Sequence, residues 1–109
     1  MKSVIWLGSS LSDVQSFPPE AKREVGYQLS KVQEGLEPSD WKAMPSVGPG
    51  VREIRVHAGS EYRVIYVAKF HEAVYVLHAF GKKTSKTAQP DLALARQRLQ
   101  TLVRERSHR

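Results

Sequence analysis

The chain has 109 residues, 40% of them hydrophobic, which allows one domain (1–109) with one modest core. It has no cysteine, which excludes disulfides and thiol chemistry, and its four histidines lack metal-ligand spacing, so we expect no metal and no cofactor. No apolar run is long enough to cross a bilayer, and the start is too quickly polar for a signal peptide, so we expect a cytoplasmic protein without membrane contact.

The net charge of +6 is concentrated in the second half of the chain. Residues 1–50 contain five Lys and Arg against six Asp and Glu, a net charge of −1. Residues 51–109 contain twelve against five, a net charge of +7. Such an imbalance predicts a face that binds a polyanion. The alternative is that the charge only keeps the protein soluble, and charge alone does not exclude it.

The first half of the chain predicts one strand and two helices. Residues 3–7 suggest a strand, and residues 9–17 suggest a short helix that ends before two prolines. Pro19 suits the first turn of a second helix, and Gly35 is a natural stop for it. Its apolar residues recur at helical spacing: Ala21, Val25, Leu29, Val32 and Leu36. Residues 37–50 contain three prolines and two glycines and are predicted to form a loop.

The second half predicts three strands and a final helix. The strands cover residues 51–56, 61–69 and 72–80, and their short connections make them antiparallel neighbours. The helix has one apolar face, formed by Leu92, Ala95, Leu99 and Leu102. The expected fold class is therefore α+β, in the order β-α-α-β-β-β-α.

Two arginines are predicted on one face of this sheet. Side chains alternate across a strand, so Arg55 lies opposite the apolar face of the first of the three strands, together with Glu53. Arg63 lies on the same side of the next strand. If the long helices cover the apolar face, both guanidiniums are left on an open face, where a phosphate could accept hydrogen bonds from each. The alternative is that they are ordinary cross-strand partners of Glu53 and Glu61.

A basic segment follows the last predicted strand. Residues 80–87 contain Lys82, Lys83 and Lys86 together with three hydroxyls, one of them on Thr84. Phosphates accept hydrogen bonds from ammonium groups, from hydroxyls and from the backbone N–H groups at the start of a helix. The alternative is that this basic segment is only a solvated turn. His78 shares a predicted face with Val76 and Phe80, which favours a half-buried histidine over a catalytic one.

Five segments carry a resemblance to a known family. They read FPPEAKR (17–23), VQEG (32–35), VREIR (51–55), YRVIY (62–66) and HAFGKKTSKT (78–87). Their order and spacing resemble the RelE/ParE superfamily of bacterial toxins, and within it the HigB-like, phage-derived branch. The resemblance implies a compact α+β fold with a curved, mainly antiparallel sheet packed against two N-terminal helices, followed by a C-terminal helix.

The same resemblance implies a toxin of a type II toxin–antitoxin pair. HigB-like members are ribosome-dependent endoribonucleases that cut messenger RNA, and their partner is commonly a helix-turn-helix antitoxin. We therefore expect the ribosome, messenger RNA and such an antitoxin as partners. The expected catalytic residues are Arg55, Arg63, Lys82, Lys83, Glu53 and His78. The expected RNA- or ribosome-binding residues are Arg52, Thr84, Lys86, Arg96 and Arg98.

The chemistry suggested by these residues needs no metal. The sequence contains no carboxylate cluster of the kind that metal nucleases use. In RNA, however, the 2′-OH can attack the adjacent phosphate without a metal. Arginines would stabilise the added negative charge and a lysine would hold the phosphate, while Glu53, Tyr75, His78 or a lysine with a lowered pKa would move protons. Two alternatives remain: a ParE-like toxin that inhibits DNA gyrase by binding, and a small basic nucleic-acid-binding module.

Overall fold

A computed structural model describes residues 1–83 and 86–108 of the chain. In that part of the chain, three helices surround a sheet of five strands. The elements in chain order are β1 Ser3–Trp6, α1 Ser10–Gln15, α2 Pro19–Gln33, β2 Trp41–Ala43, β3 Val51–Ala58, β4 Ser60–Val67, β5 Ala73–Lys82 and α3 Gln89–Ser107.

The sheet is mixed, with the strand order β1-β5-β4-β3-β2. β1 pairs in parallel with β5, and the other neighbours are antiparallel. This confirms an α+β class and a mainly antiparallel sheet. The predicted order of elements along the chain, however, lacked one strand. The predicted loop 37–50 contains β2, which pairs with β3 from Trp41 opposite Ile54 to Ala43 opposite Arg52. Three residues between prolines are too few to show alternation in the sequence.

Two apolar cores lie on opposite sides of the sheet. One side packs against α1 and α2 through Val25, Leu29, Ile54 and other residues. The other side packs against α3, whose buried residues are the predicted Leu92, Ala95, Leu99 and Leu102. The prediction of an open second face was therefore wrong in part: α3 covers the half that carries residues such as Ile65. The half at the β3–β4 hairpin carries the charged residues described below.

Helix α2 buries most of its predicted apolar stripe and is stopped by Gly35 as predicted. Ala21, Val25, Leu29 and Val32 are buried, whereas Leu36 is 59% exposed. The helix ends at Gln33, and Gly35 then takes a φ of +84°, which turns the chain away before Leu36 can follow the stripe. The prediction that Leu36 belongs to the core was wrong for this reason.

A β-bulge changes the side of the sheet on which His78 lies. In the pairing of β4 with β5, Ile65 lies opposite His78 but Tyr66 lies opposite Val76, so Leu77 is the extra residue. Val76 packs in the core beneath α2, while Phe80 packs against the core beneath α3. His78 stacks on Phe80 with ring centroids 5.1 Å apart, so the prediction that it shares a face with Val76 was wrong.

Helix α3 is held to the sheet by charge as well as by apolar packing. Arg106 donates to both carboxylate oxygens of Glu72, at 2.7 and 3.0 Å, and its guanidinium lies 3.8 Å from the ring centroid of Phe70. These bonds hold the pKa of the Glu72 carboxyl well below its usual range. Among the described residues, α3 and the other helices are too short or too polar to span a membrane.

Two glycine substitutions should have opposite effects on stability. Gly8 has a φ of +54°, and a Cβ there would collide with the guanidinium of Arg98, so Gly8→Ala should destabilise the protein by about 1–2 kcal/mol. Gly26 lies within α2, with nothing within 4 Å of an added Cβ, so Gly26→Ala should stabilise it by about 0.5–1 kcal/mol. Urea unfolding measures both, and equal effects would contradict the assignment.

Candidate functional site

Cross-strand pairing brings three cationic side chains together on the side of the sheet that α3 leaves partly uncovered. Arg55 on β3 lies directly opposite Arg63 on β4, and Lys82 on β5 lies opposite Glu61, two residues before Arg63. We call Arg55, Arg63 and Lys82 the basic cluster. Like charges placed directly opposite each other destabilise a sheet, so this arrangement needs anionic partners.

Glu53 is the buried anion next to this cluster. It is 1% exposed, and its Oε1 lies 3.7 Å from Nε of Arg63. The hydroxyl of Thr87 donates to its Oε2 at 2.7 Å. A buried carboxylate without such partners would be costly, so Glu53 holds both Arg63 and the segment before α3 in place. The cross-strand alternative is thus correct for Arg63, which also donates to Glu61 at 3.0 Å.

Both arginines keep a donor that the described residues do not satisfy. Nε of Arg55 and Nε of Arg63 are buried and have no hydrogen-bond acceptor among residues 1–83 and 86–108. The distance of 3.7 Å from Arg63 to Glu53 is an ion-pair distance and is too long for a hydrogen bond. Because buried N–H groups are almost always bonded, an acceptor shared by the two adjacent strands would satisfy both donors.

Lys82 lies in an environment that favours its neutral form. Partial burial lowers the pKa of its ammonium group, and the charges of Arg63, Arg55 and Lys42 lower it further, while Glu53 opposes them. Lys42 is on β2, directly opposite Glu53, and it was missed because β2 was predicted as part of a loop. Lys82 is therefore the amine in this site best suited to exchanging a proton.

A histidine and two carboxylates border the basic cluster. His57 lies on β3 two residues after Arg55, and its two ring nitrogens lie 2.7 Å from Asp40 and 2.7 Å from Glu61. Bonding to these carboxylates raises the pKa of His57, Asp40 having the larger effect. The sequence offered one signal for this group, since His57 and Glu61 flank the Gly59 turn of a hairpin and must lie opposite each other. Asp40 gave no such signal, because its position depends on β2.

His78 is a buried histidine with partners on every side. It is 6% exposed, and its Nε2 lies 2.7 Å from Oδ1 of Asp91 in the first turn of α3. Its Nδ1 lies 3.5 Å from the guanidinium of Arg98, and its ring stacks on Phe80. These contacts fit the expectation of a satisfied histidine that ties β5 to α3.

The other predicted residues that the structure describes lie in three different places. Arg52 is on the α2 side of β3, where it stacks over Trp41 at 4.0 Å and pairs with Glu37 at 3.7 Å. Arg96 donates to the carbonyl of Ser46, and Arg98 donates to that of Leu77 and to Ser9, so both arginines fasten α3. Lys83 and Lys86 are exposed beside the cluster. Thr84 lies outside the described residues.

The comparison with known families agrees with this small α+β architecture. Residues 12–100 match the model of the family described as Phage derived protein Gp49-like (DUF891). The match covers most of the chain, so the protein belongs to this phage-derived, toxin-like family of the RelE/ParE-like toxin superfamily of toxin–antitoxin systems. Membership implies an antitoxin partner. A search of curated proteins found no match.

The electrostatic link between Glu53 and Lys82 can be tested directly. Glu53→Gln removes the negative charge that opposes the lowering of the Lys82 pKa, so that pKa should fall further below its ordinary value. Thr87→Val removes one hydrogen bond to Glu53 but keeps its charge, so it should leave the Lys82 pKa close to the wild-type value. NMR titration of the lysine side chain measures both. An unchanged pKa in Glu53→Gln would contradict the link.

Proposed function

We propose that this protein is the toxin of a type II toxin–antitoxin pair, of the HigB-like branch, and that it cleaves messenger RNA on the ribosome without a metal ion. The observation that carries this proposal is the arginine pair: two guanidiniums directly opposite each other on adjacent strands, each with a buried Nε that lacks an acceptor among the described residues. A phosphodiester supplies oxygen acceptors and a negative charge to both at once.

The arginine pair suits the charge that develops during cleavage. Attack of the 2′-OH on the adjacent phosphate forms a P–O2′ bond and breaks the P–O5′ bond through a transition state with additional negative charge on the phosphoryl oxygens. Arg63 is 7% exposed and is held by Glu53 and Glu61, so its guanidinium needs little reorganisation to bind that charge. Arg55 would bind the same oxygens from β3.

Proton transfer in this proposal involves Lys82. An amine whose pKa is lowered by burial and by neighbouring cations can take the proton of the 2′-OH more readily than an exposed lysine. Glu53 is less suited, because it is buried and already accepts a hydrogen bond from Thr87. His78 is engaged with Asp91, so we assign it to holding α3.

The ribosome would supply what the isolated protein lacks. Cleavage by the 2′-OH requires an in-line geometry, and a message held in the decoding site is fixed in a way that a free transcript is not. The exposed Lys83 and Lys86, and the +7 charge of residues 51–109, are matched to ribosomal RNA. In this proposal the protein acts in the cytoplasm, and a helix-turn-helix antitoxin is its neutralising partner.

The decisive experiment is primer extension on messages translated in the presence of the purified protein. We expect cleavage only in translating ribosomes, with no metal added beyond the Mg²⁺ that the ribosome itself needs. The products should carry 2′,3′-cyclic or 3′-phosphate ends and 5′-hydroxyls, since the 2′-OH is the nucleophile. Absence of cleavage combined with inhibition of gyrase supercoiling would replace this proposal with a ParE-like toxin.

The arginine pair should be sensitive even to conservative substitution. Arg63→Lys and Arg55→Lys keep the charge but lose the planar guanidinium donors, so each should reduce cleavage about 10²–10³-fold. Arg23→Lys, on the exposed side of α2, is the matched control and should cleave like the wild type. Urea unfolding identifies variants that are merely destabilised. A well-folded Arg63→Lys protein with full activity would remove Arg63 from the site.

A further inference from the structure

His57 links the two carboxylates that face the arginine pair. Each carboxylate uses one oxygen for the histidine and presents the other to an arginine. Glu61 contacts His57 through Oε2 at 2.7 Å and Arg63 through Oε1 at 3.0 Å. Asp40 contacts His57 through Oδ2 at 2.7 Å, and its Oδ1 lies 4.0 Å from Arg55. The result is a chain of alternating charges with His57 at its centre.

Only the protonated ring satisfies both ends of this arrangement. Ionised carboxylates are acceptors only, so a ring nitrogen must donate to each of them, which requires the imidazolium form. A neutral ring presents a lone pair to one carboxylate, which must then turn away. The nearest cation available to a released Asp40 is Arg55, and the nearest one available to a released Glu61 is Arg63.

We infer that His57 is a positioning residue: its protonated ring keeps the second oxygen of Asp40 and of Glu61 from reaching the arginine pair, and the phosphate affinity of the basic cluster falls when the ring loses its proton. This inference rests on the proposed function, because the bound group is taken to be an RNA phosphate. Competition by a released carboxylate and loss of the positive charge of the ring both weaken binding.

The surroundings of His57 agree with this direction. The charged groups around it come from the segment before β2, from β3, β4 and β5, and from α2: Asp40, Arg55, Glu61, Arg63, Lys82, Glu20 and Glu24. The bonded carboxylates raise the pKa of His57 above its ordinary value, so the ring loses its proton at a higher pH than a free histidine. The His57 side chain is 54% exposed and therefore exchanges protons freely with solvent.

Binding of an uncleavable RNA tests this directly. A fluorescein-labelled 2′-O-methyl RNA dodecamer has no 2′-OH to attack, and its internal phosphates do not titrate over the range used. Its affinity for the wild-type protein should fall roughly fivefold from about pH 6 to about pH 9, the effect of one unit charge about 4 Å from a phosphate in water. The affinity is read from fluorescence anisotropy at low salt.

Three variants isolate the role of His57. His57→Gln should bind weakly at every pH, and His57→Lys, which stays charged, should bind tightly at every pH. His71→Gln is the control, because its histidine side chain is 95% exposed and pairs only loosely with Glu72, at 3.7 Å; it should keep the wild-type pH profile. Thermal unfolding followed by circular dichroism checks that each variant is folded.

The outcomes separate this inference from the proposed function. A wild-type affinity that does not change with pH, or a His57→Gln profile that matches the wild type, overturns the inference even if ribosome-dependent cleavage is observed. A pH profile that is lost in His57→Gln supports the inference even if no message is cleaved, in which case only the proposed reaction fails.

Discussion

The structure depends on the need to neutralise one buried carboxylate. Glu53 lies on β3 with a side chain 1% exposed, so its negative charge needs partners close by. Arg63 on β4 and Thr87 before α3 meet that need, and in doing so they join three parts of the chain that lie far apart in sequence. Arg63 is thereby held directly opposite Arg55, although the like charges of the two side chains repel each other.

The sequence allowed most of the fold to be predicted, because apolar periodicity was strong where elements are long. Alternation placed Glu53, Arg55 and Arg63 on the correct side of β3 and β4. It failed at Leu77, because a bulge adds a residue that no pattern of alternation reveals, and His78 therefore changed sides. It also failed for β2, whose register depends on pairing with β3 rather than on its own three residues.

The candidate site was predictable only in its charged core. Arg55, Arg63 and Glu53 follow from strand alternation, Lys82 follows from the basic segment after the last predicted strand, and the structure brings them together. Asp40 and Lys42 could not be found, because they reach the site through the strand that was missed. The arginines of α3 illustrate the opposite error: charge on an amphipathic helix indicates exposure, yet Arg98 and Arg106 bond to the sheet. Net charge therefore indicates the kind of partner but not the residues that bind it.

The parallel pairing of β1 with β5 has a consequence for synthesis of the protein. Residue 3 pairs with residue 73 and residue 6 with residue 76, so the first strand made has no partner until most of the chain has left the ribosome. The basic cluster needs β5 as well, and Thr87 lies beyond it. Domains fold as units during translation, so a nascent chain in which β5 is still missing has not assembled the site. The order of the strands thus keeps the basic cluster unassembled until the chain is nearly complete.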